Sequence, residues 1–183
     1  RHIVVSAIDH QSVLNAAKSL TRIGWEVSSL DVNSRGFVDP AAVTEAIRDD
    51  TAVVSITSAS NEIGTIQNIK KIATVVKERG IPFHTDAIQT AGVIPVNVDD
   101  LGVDMLSLAG NAFYGPKGAA ALYIREGVRV FALIDGGIQE RGRRGGTENV
   151  PAIVGLGKAA EIAVRDMDSR IKTTTPLRDK LMN

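Results

Sequence analysis

Asp86 and Gln89 stand three residues apart in the run His84-Thr85-Asp86-Ala87-Ile88-Gln89, at the end of an apolar stretch. In an α/β chain this position, just beyond a strand, is where the sheet binds ligands. A buried aspartate facing a heteroaromatic ring nitrogen would keep that nitrogen protonated and make the ring an electron sink, while the carboxamide held a ring oxygen. The pair also fits a plainer role, with Asp86 capping a short helix and Gln89 on its surface. His10 follows the first apolar strand, where an imidazole could stack on a ring face, although a lone histidine is also a common surface or capping residue. Asn61, at the end of another strand, could donate to a ring oxygen or simply form a turn.

Other segments accompany this pair in order along the chain. They are Asp9-His10 with Val13, Asn61-Glu62-Ile63-Gly64, Tyr114-Gly115-Pro116-Lys117-Gly118, Gly136-Gly137-Ile138-Gln139-Glu140-Arg141-Gly142, and Arg144-Gly145-Gly146-Thr147-Glu148-Asn149-Val150. Together with H-x-D-A-x-Q they closely resemble the cysteine desulfurases, fold-type I pyridoxal 5'-phosphate (PLP) enzymes of the class V aminotransferase group. The resemblance implies an α/β fold with a mixed, mostly parallel sheet covered by helices, the large domain of a PLP-dependent transferase. It implies PLP as cofactor and L-cysteine or a related amino acid as substrate, with sulfur mobilised for iron–sulfur cluster assembly. A homodimer and an iron–sulfur scaffold protein are the implied partners. Carried over position by position, it assigns His10, Asn61, Asp86, Gln89, Asn111 and Thr147 to the cofactor, Thr147 reaching the phosphate in the neighbouring subunit.

The same resemblance exposes departures. The family places a His-Lys pair before the Tyr-Gly-Pro-Lys-Gly segment, and that lysine forms the Schiff base with PLP; here the pair reads Asn111-Ala112. A methyl group cannot form an imine, so the cofactor is expected to be held non-covalently, and no catalytic residue is assigned. Asn111 can still donate a hydrogen bond. Ala109 and Gly145 stand where the family usually has serines. Lys117 is a substitute amine in principle, but family members carry it as well as the first lysine, which favours a turn role. With no cysteine in the sequence, the sulfur-accepting nucleophile is also missing from these residues. A non-catalytic relative serving as a binding or assembly subunit, another class V aminotransferase, and an unrelated α/β binding domain are the alternative readings.

The elements that must position these residues follow from periodicity. Strands are expected at Ile3–Ala7, Trp25–Leu30, Thr51–Thr57, Ile81–His84, Asp104–Leu108 and Ala119–Ile124, and helices at Gln11–Ile23, from Asp39-Pro40 to Arg48, and at Ile69–Arg79. Thr51–Thr57 reads as a strand buried on both faces. Alternating strands and helices imply parallel crossovers, with the last strand pair antiparallel. Residues 127–146 read as a long Gly- and Arg-rich loop. From Pro151 a helix presents Ile153, Leu156, Ala160, Val164 and Met167 on one face, and Pro176 should break or kink it. Residues 1–150 are expected to be part of the PLP-binding large domain, and 151–183 bridging helices towards a small domain outside this sequence. The first residue, Arg1, suggests a piece of a longer chain.

Composition agrees with this frame. Of 183 residues, 44% are hydrophobic and only 4% aromatic, which describes an aliphatic α/β interior. Twenty-one basic residues balance 21 acidic ones, so no net field favours nucleic acid or an anionic membrane. The absence of cysteine excludes disulfides and cysteine-based metal sites. No apolar run approaches the roughly 20 residues that span a bilayer, and a cytoplasmic location is expected.

Overall fold

The computed structural model describes residues 1–182. Six strands, β1 (His2–Ser6), β2 (Glu26–Leu30), β3 (Thr51–Thr57), β4 (Phe83–Asp86), β5 (Met105–Ala109) and β6 (Ala120–Ile124), form one sheet in the order β2-β1-β3-β4-β5-β6. The pairs from β2 through β5 are all parallel. The last pair runs antiparallel, since Gly110 N–H bonds to Ala119 O at one end while Arg125 N–H bonds to Asp104 O at the other. The mixed, mostly parallel sheet expected from the sequence is therefore present.

Strand alternation sends successive side chains to opposite faces. Val4, Val54, Ile56, Phe83 and Leu106 join one buried cluster with Val43 of α2 (Pro40–Ala46) and Ile69, Ile72, Ala73 and Val76 of α3 (Ile69–Glu78). The α3 residues recur at helical spacing, and Asn68 Oδ1 caps the helix by accepting from Lys71 N–H. On the opposite face Ile3 and Val5 pack with Ala17, Val13, Leu14 and Leu20 of α1 (Gln11–Thr21). That second face also carries Ser55, His84, Asp86 and Ser107, polar residues placed there by the same alternation.

Several expectations need correction. β4 begins at Phe83 rather than Ile81 and runs two residues further, so Asp86 closes the strand instead of following it. Pro82 has no N–H to contribute, and Phe83 N–H goes to the Asp104 carboxylate rather than to a neighbouring strand. β3 is buried from Val54 to Thr57, but Ala52 is exposed near the strand's start. A four-residue helix α4 (Val98–Leu101) and a 3₁₀ turn at Gly110–Phe113 were too short to leave a periodic signal.

The chain divides into two compact units. The first holds Arg1–Ala91, Val96–Leu108 and Leu122–Arg125; the second holds Gly92–Pro95, Ala109–Ala121 and the residues from 126 onward. In the second unit, residues 127–146 form the expected loop, interrupted only by the short turn α5 (Gln139–Gly142), where Glu140 and Arg141 adopt positive φ. The helix α6 (Val150–Met182) continues through Pro176 without a break. The carbonyl freed by the proline belongs to Lys172, whose residue is exposed and open to water. The packed face of α6 also differs from expectation. Ala152 and Ala163 are buried, whereas Val164 is 71% exposed and Ile153 45%. Small residues win because the backbone comes close: a Cβ on Gly155 would lie 2.7 Å from Pro116 Cγ.

Candidate functional site

The C-terminal ends of β1, β3 and β4 converge on a cleft of about 290 Å³ in the first unit. His10, Asn61, Asp86 and Gln89 all line it, together with Asp9, Thr57, Glu62 and the apolar Leu14, Ile63 and Ile88. Four of the six residues expected at a ligand thus share one cavity. Asn111 and Thr147 belong to the second unit, Asn111 exposed in the 3₁₀ turn and Thr147 exposed beyond the Gly-rich loop.

Asp86 anchors the turn that follows β4 and keeps one carboxylate oxygen free of it. Oδ1 accepts from Ile88 N–H at 2.9 Å and fixes the turn after β4, while Oδ2 takes no hydrogen bond from the described residues. The residue is 5% exposed, so that second oxygen is poised for a donor from a ligand. Its backbone carbonyl accepts from both the N–H and the hydroxyl of Ser58, and Ser58 also bonds Thr90 Oγ1. The turn carrying Gln89 is thereby tied to the end of β3.

Asn61 sits on a small projection between β3 and α3. Ala59 and Ile66 pair as an antiparallel bridge, and Gln67 locks the base by accepting from Val38 N–H and donating to Gly36 O. The buried amide of Gln67 makes the projection rigid at its root and leaves Asn61 and Glu62 exposed at its tip.

The three histidines differ sharply. His2 bridges Thr51 Oγ1 and Ser28 Oγ, and His84 bridges Ser55 Oγ and Ser107 Oγ, each contact 2.8–2.9 Å. Burial pushes both imidazoles below their ordinary pKa, and for His84 the nearby Asp86 partly offsets this. His84 thus has a packing role, held from both sides by hydroxyls. His10 instead caps α1: its Nδ1 accepts from Ser12 N–H, which puts the proton of the neutral ring on Nε2 and leaves the exposed ring facing the cleft.

Asp9 was legible only as a motif neighbour of His10, yet its carboxylate is the clamp of the site. Oδ2 accepts from Ser6 N–H and Oδ1 from Thr57 N–H, joining the ends of β1 and β3. Burial raises its pKa to about 7 despite these hydrogen bonds, and the charge of Asp86 adds to the rise. The Ser6 hydroxyl is buried beside it and has no hydrogen-bond partner of standard geometry. An acidic residue directly between a buried strand and a helix start was the available signal.

Lys117 is exposed in the turn between the 3₁₀ segment and β6. Among the described residues no cluster of three or more His, Cys, Asp or Glu could hold a metal ion, and no helix is long and apolar enough to cross a membrane.

A ligand cleft at the carboxyl ends of parallel strands, with a buried carboxylate and a carboxamide directed into it, defines a nucleotide- or cofactor-type α/β site. The chain belongs to the family described as Aminotransferase class-V, which it matches over residues 1–182. It is 51% identical over 179 residues to a cysteine desulfurase IscS of Dictyoglomus turgidum, covering 98% of this chain and 45% of that protein. Among solved structures, a NifS-like protein superimposes over 100% of this chain and 50% of its own, with a TM-score of 0.95 and 42% identity. A structure of SspA in complex with cysteine covers 87% of this chain and 47% of its own, with a TM-score of 0.84 and 46% identity. The chain therefore spans about half the length of the relatives it matches. Its fold is that of fold-type I PLP-dependent transferases, and members of this family use PLP.

The chemistry of the cleft suits the PLP ring. A buried carboxylate oxygen without a protein donor matches a pyridinium N–H, two carboxamides match a ring oxygen, and apolar walls match the ring itself.

Proposed function

We propose that the first unit binds the ring of PLP, and that the intact protein is of cysteine desulfurase type, handling L-cysteine or a related amino acid for iron–sulfur cluster assembly. The observation that carries this reading is Asp86, buried at the end of β4 with one carboxylate oxygen free in the cleft. When bound, PLP supplies an electron sink for charge developing at an amino acid's Cα. Asp86 would hold the proton on the ring nitrogen, and Gln89 and Asn61 would orient the ring through its oxygen. His10 would offer its ring for stacking, with Nε2–H available as a donor. Thr147 would serve the phosphate across a two-fold axis in an isologous homodimer, and Asn111 would offer the cofactor one hydrogen-bond donor. We read residues 1–150 as part of the large domain and α6 as the bridge towards a small one. A cytoplasmic location and an iron–sulfur scaffold partner belong to the same reading.

Ala112 limits what such a site can do. It cannot anchor the cofactor covalently or move the Cα proton, so PLP is held non-covalently and turnover is slow. Losing a positioned acid–base group alone costs roughly 10²–10⁴-fold in rate. The Asn111-Ala112 pair equally favours a second reading, a relative that keeps the fold as a binding or assembly subunit. Sulfide release from L-cysteine by the full-length protein and its Ala112→Lys variant separates them. The enzymatic reading expects slow release that rises with the lysine, provided Asn111 leaves room for it. Absence of release from both forms supports the assembly subunit, whereas rapid release indifferent to the substitution means that another amine, Lys117 first, does the work.

A further inference from the structure

We propose that Gly36, in the turn between β2 and α2 and outside the cleft, is a positioning residue for the cofactor: it seats Ile63 and, through it, the Asn61 amide that meets the ring oxygen. This rests on the cofactor reading above. The turn is a closed block, in which Asn33 N–H bonds to Phe37 O, Gly36 N–H bonds to Asn33 O, and Asn33 Oδ1 accepts from the N–H groups of Arg35 and Phe37. That block is fastened to the projection that carries Asn61. Thr65 Oγ1 donates to Arg35 O at 2.7 Å, while the Gln67 amide donates to Gly36 O at 2.6 Å and accepts from Val38 N–H at 2.9 Å. The projection itself closes through Ser60 N–H to Thr65 O and Gly64 N–H to Ser60 O, so residues 60–65 move as one piece.

Gly36 sits at the joint between the two. It is buried with φ +76°, a conformation that residues with a Cβ rarely adopt, and a Cβ there would overlap Ile63 Cδ1 and stand 2.9 Å from Thr65 Oγ1. Ile63 also lines the cleft, as does Asn61 two residues before it. A side chain at position 36 therefore displaces a residue of the cleft wall, and the tip of the projection with it. Gln89 would not follow, because its turn is tied separately, through Ser58 and Thr90, to the end of β3. The two carboxamides would lose their common aim at the ring oxygen, although Gly36 touches no ligand atom.

The test uses the full-length protein and two probes, pyridoxine 5'-phosphate and its 3-deoxy analogue, which lacks the ring oxygen. The ratio of their affinities, read by calorimetric titration, reports contact with that oxygen and is unmoved by a loss of stability common to both titrations. Wild type should favour the parent compound by roughly 2- to 10-fold, the worth of a hydrogen bond. Gly36→Ala should lower that ratio to the value of Asn61→Ala, and adding Ile63→Val, which removes the overlapping Cδ1, should bring it back towards wild type. An unchanged ratio in Gly36→Ala, or a lowered one that Ile63→Val does not restore, overturns the proposal and leaves the cofactor reading intact. Equal affinities of wild type for the two probes, or no binding of either, overturn both. Should Gly36→Ala fail to fold, Thr65→Val decides: losing the bond to Arg35 O should lower the same ratio, and an unchanged ratio refutes the proposal.

Discussion

Replacing Asp9 by Asn in the ligand-free protein should change not only stability but its dependence on pH. The native carboxyl stays protonated up to about pH 7, whereas the same group ordinarily ionises near 3.8. Between those values unfolding releases a proton, so stability falls as pH rises, by about 1.4 kcal/mol per pH unit and about 4 kcal/mol in all. The contribution is fully present below about pH 4 and gone above about pH 7. Asn is neutral in both states and contributes no such slope. At low pH the variant should be less stable by about 1–3 kcal/mol, because Asn can accept from only one of the two buried amides and turns an NH₂ towards the other. From pH 4.5 to 7.5 the wild-type advantage should shrink by about 3 kcal/mol and can reverse. Urea midpoints read from Trp25, which packs beside α1, measure this at pH 4.5, 6.0 and 7.5. The depressed pKa of buried His84 acts in the opposite direction, with stability lost as pH falls, but it is common to both proteins and cancels in the difference. Parallel profiles for the two proteins would refute the account of Asp9.

Asp86→Ala should weaken binding of pyridoxine 5'-phosphate by roughly 10- to 150-fold, the worth of a charge-assisted hydrogen bond of about 1.5–3 kcal/mol, and equal affinities by fluorescence titration would remove Asp86 from the site. Gly155→Val should push α6 away from Pro116, which a Cβ would meet at 2.7 Å, and cost roughly 1–3 kcal/mol, visible as a lower thermal midpoint. The full-length protein should sediment as a dimer at micromolar concentration, and a monomer there would count against the role given to Thr147.

The strands and helices were legible because their apolar residues are periodic: β3 matches its expected span, and α1 and α3 end within two residues of theirs. Where reading failed, a non-periodic cause decided. Pro82 delayed β4, the helix runs on through Pro176 where Lys172 is exposed, and small residues rather than Ile153 and Val164 formed the packed face of α6, because contact there is set by how closely backbone approaches. Of the cleft, Asp86, Gln89, Asn61 and His10 were found from residue type and position after strands. Asp9 was not given a role of its own, since its work is to join β1 to β3 across 48 positions of sequence, a pairing that local spacing does not encode. The hydroxyl bridges that occupy both ring nitrogens of His84 are likewise long-range, and His2 lies at the far end of β1 from the cleft. His10 is the histidine that lines it.

The central claim is that Asp86 holds a protonated ring nitrogen, and the ¹⁵N resonance of ring-labelled PLP bound to the full-length protein reads that directly. At pH 8 the nitrogen should be protonated in wild type and unprotonated in Asp86→Asn; an unprotonated nitrogen in wild type, or the same shift in both proteins, contradicts the account.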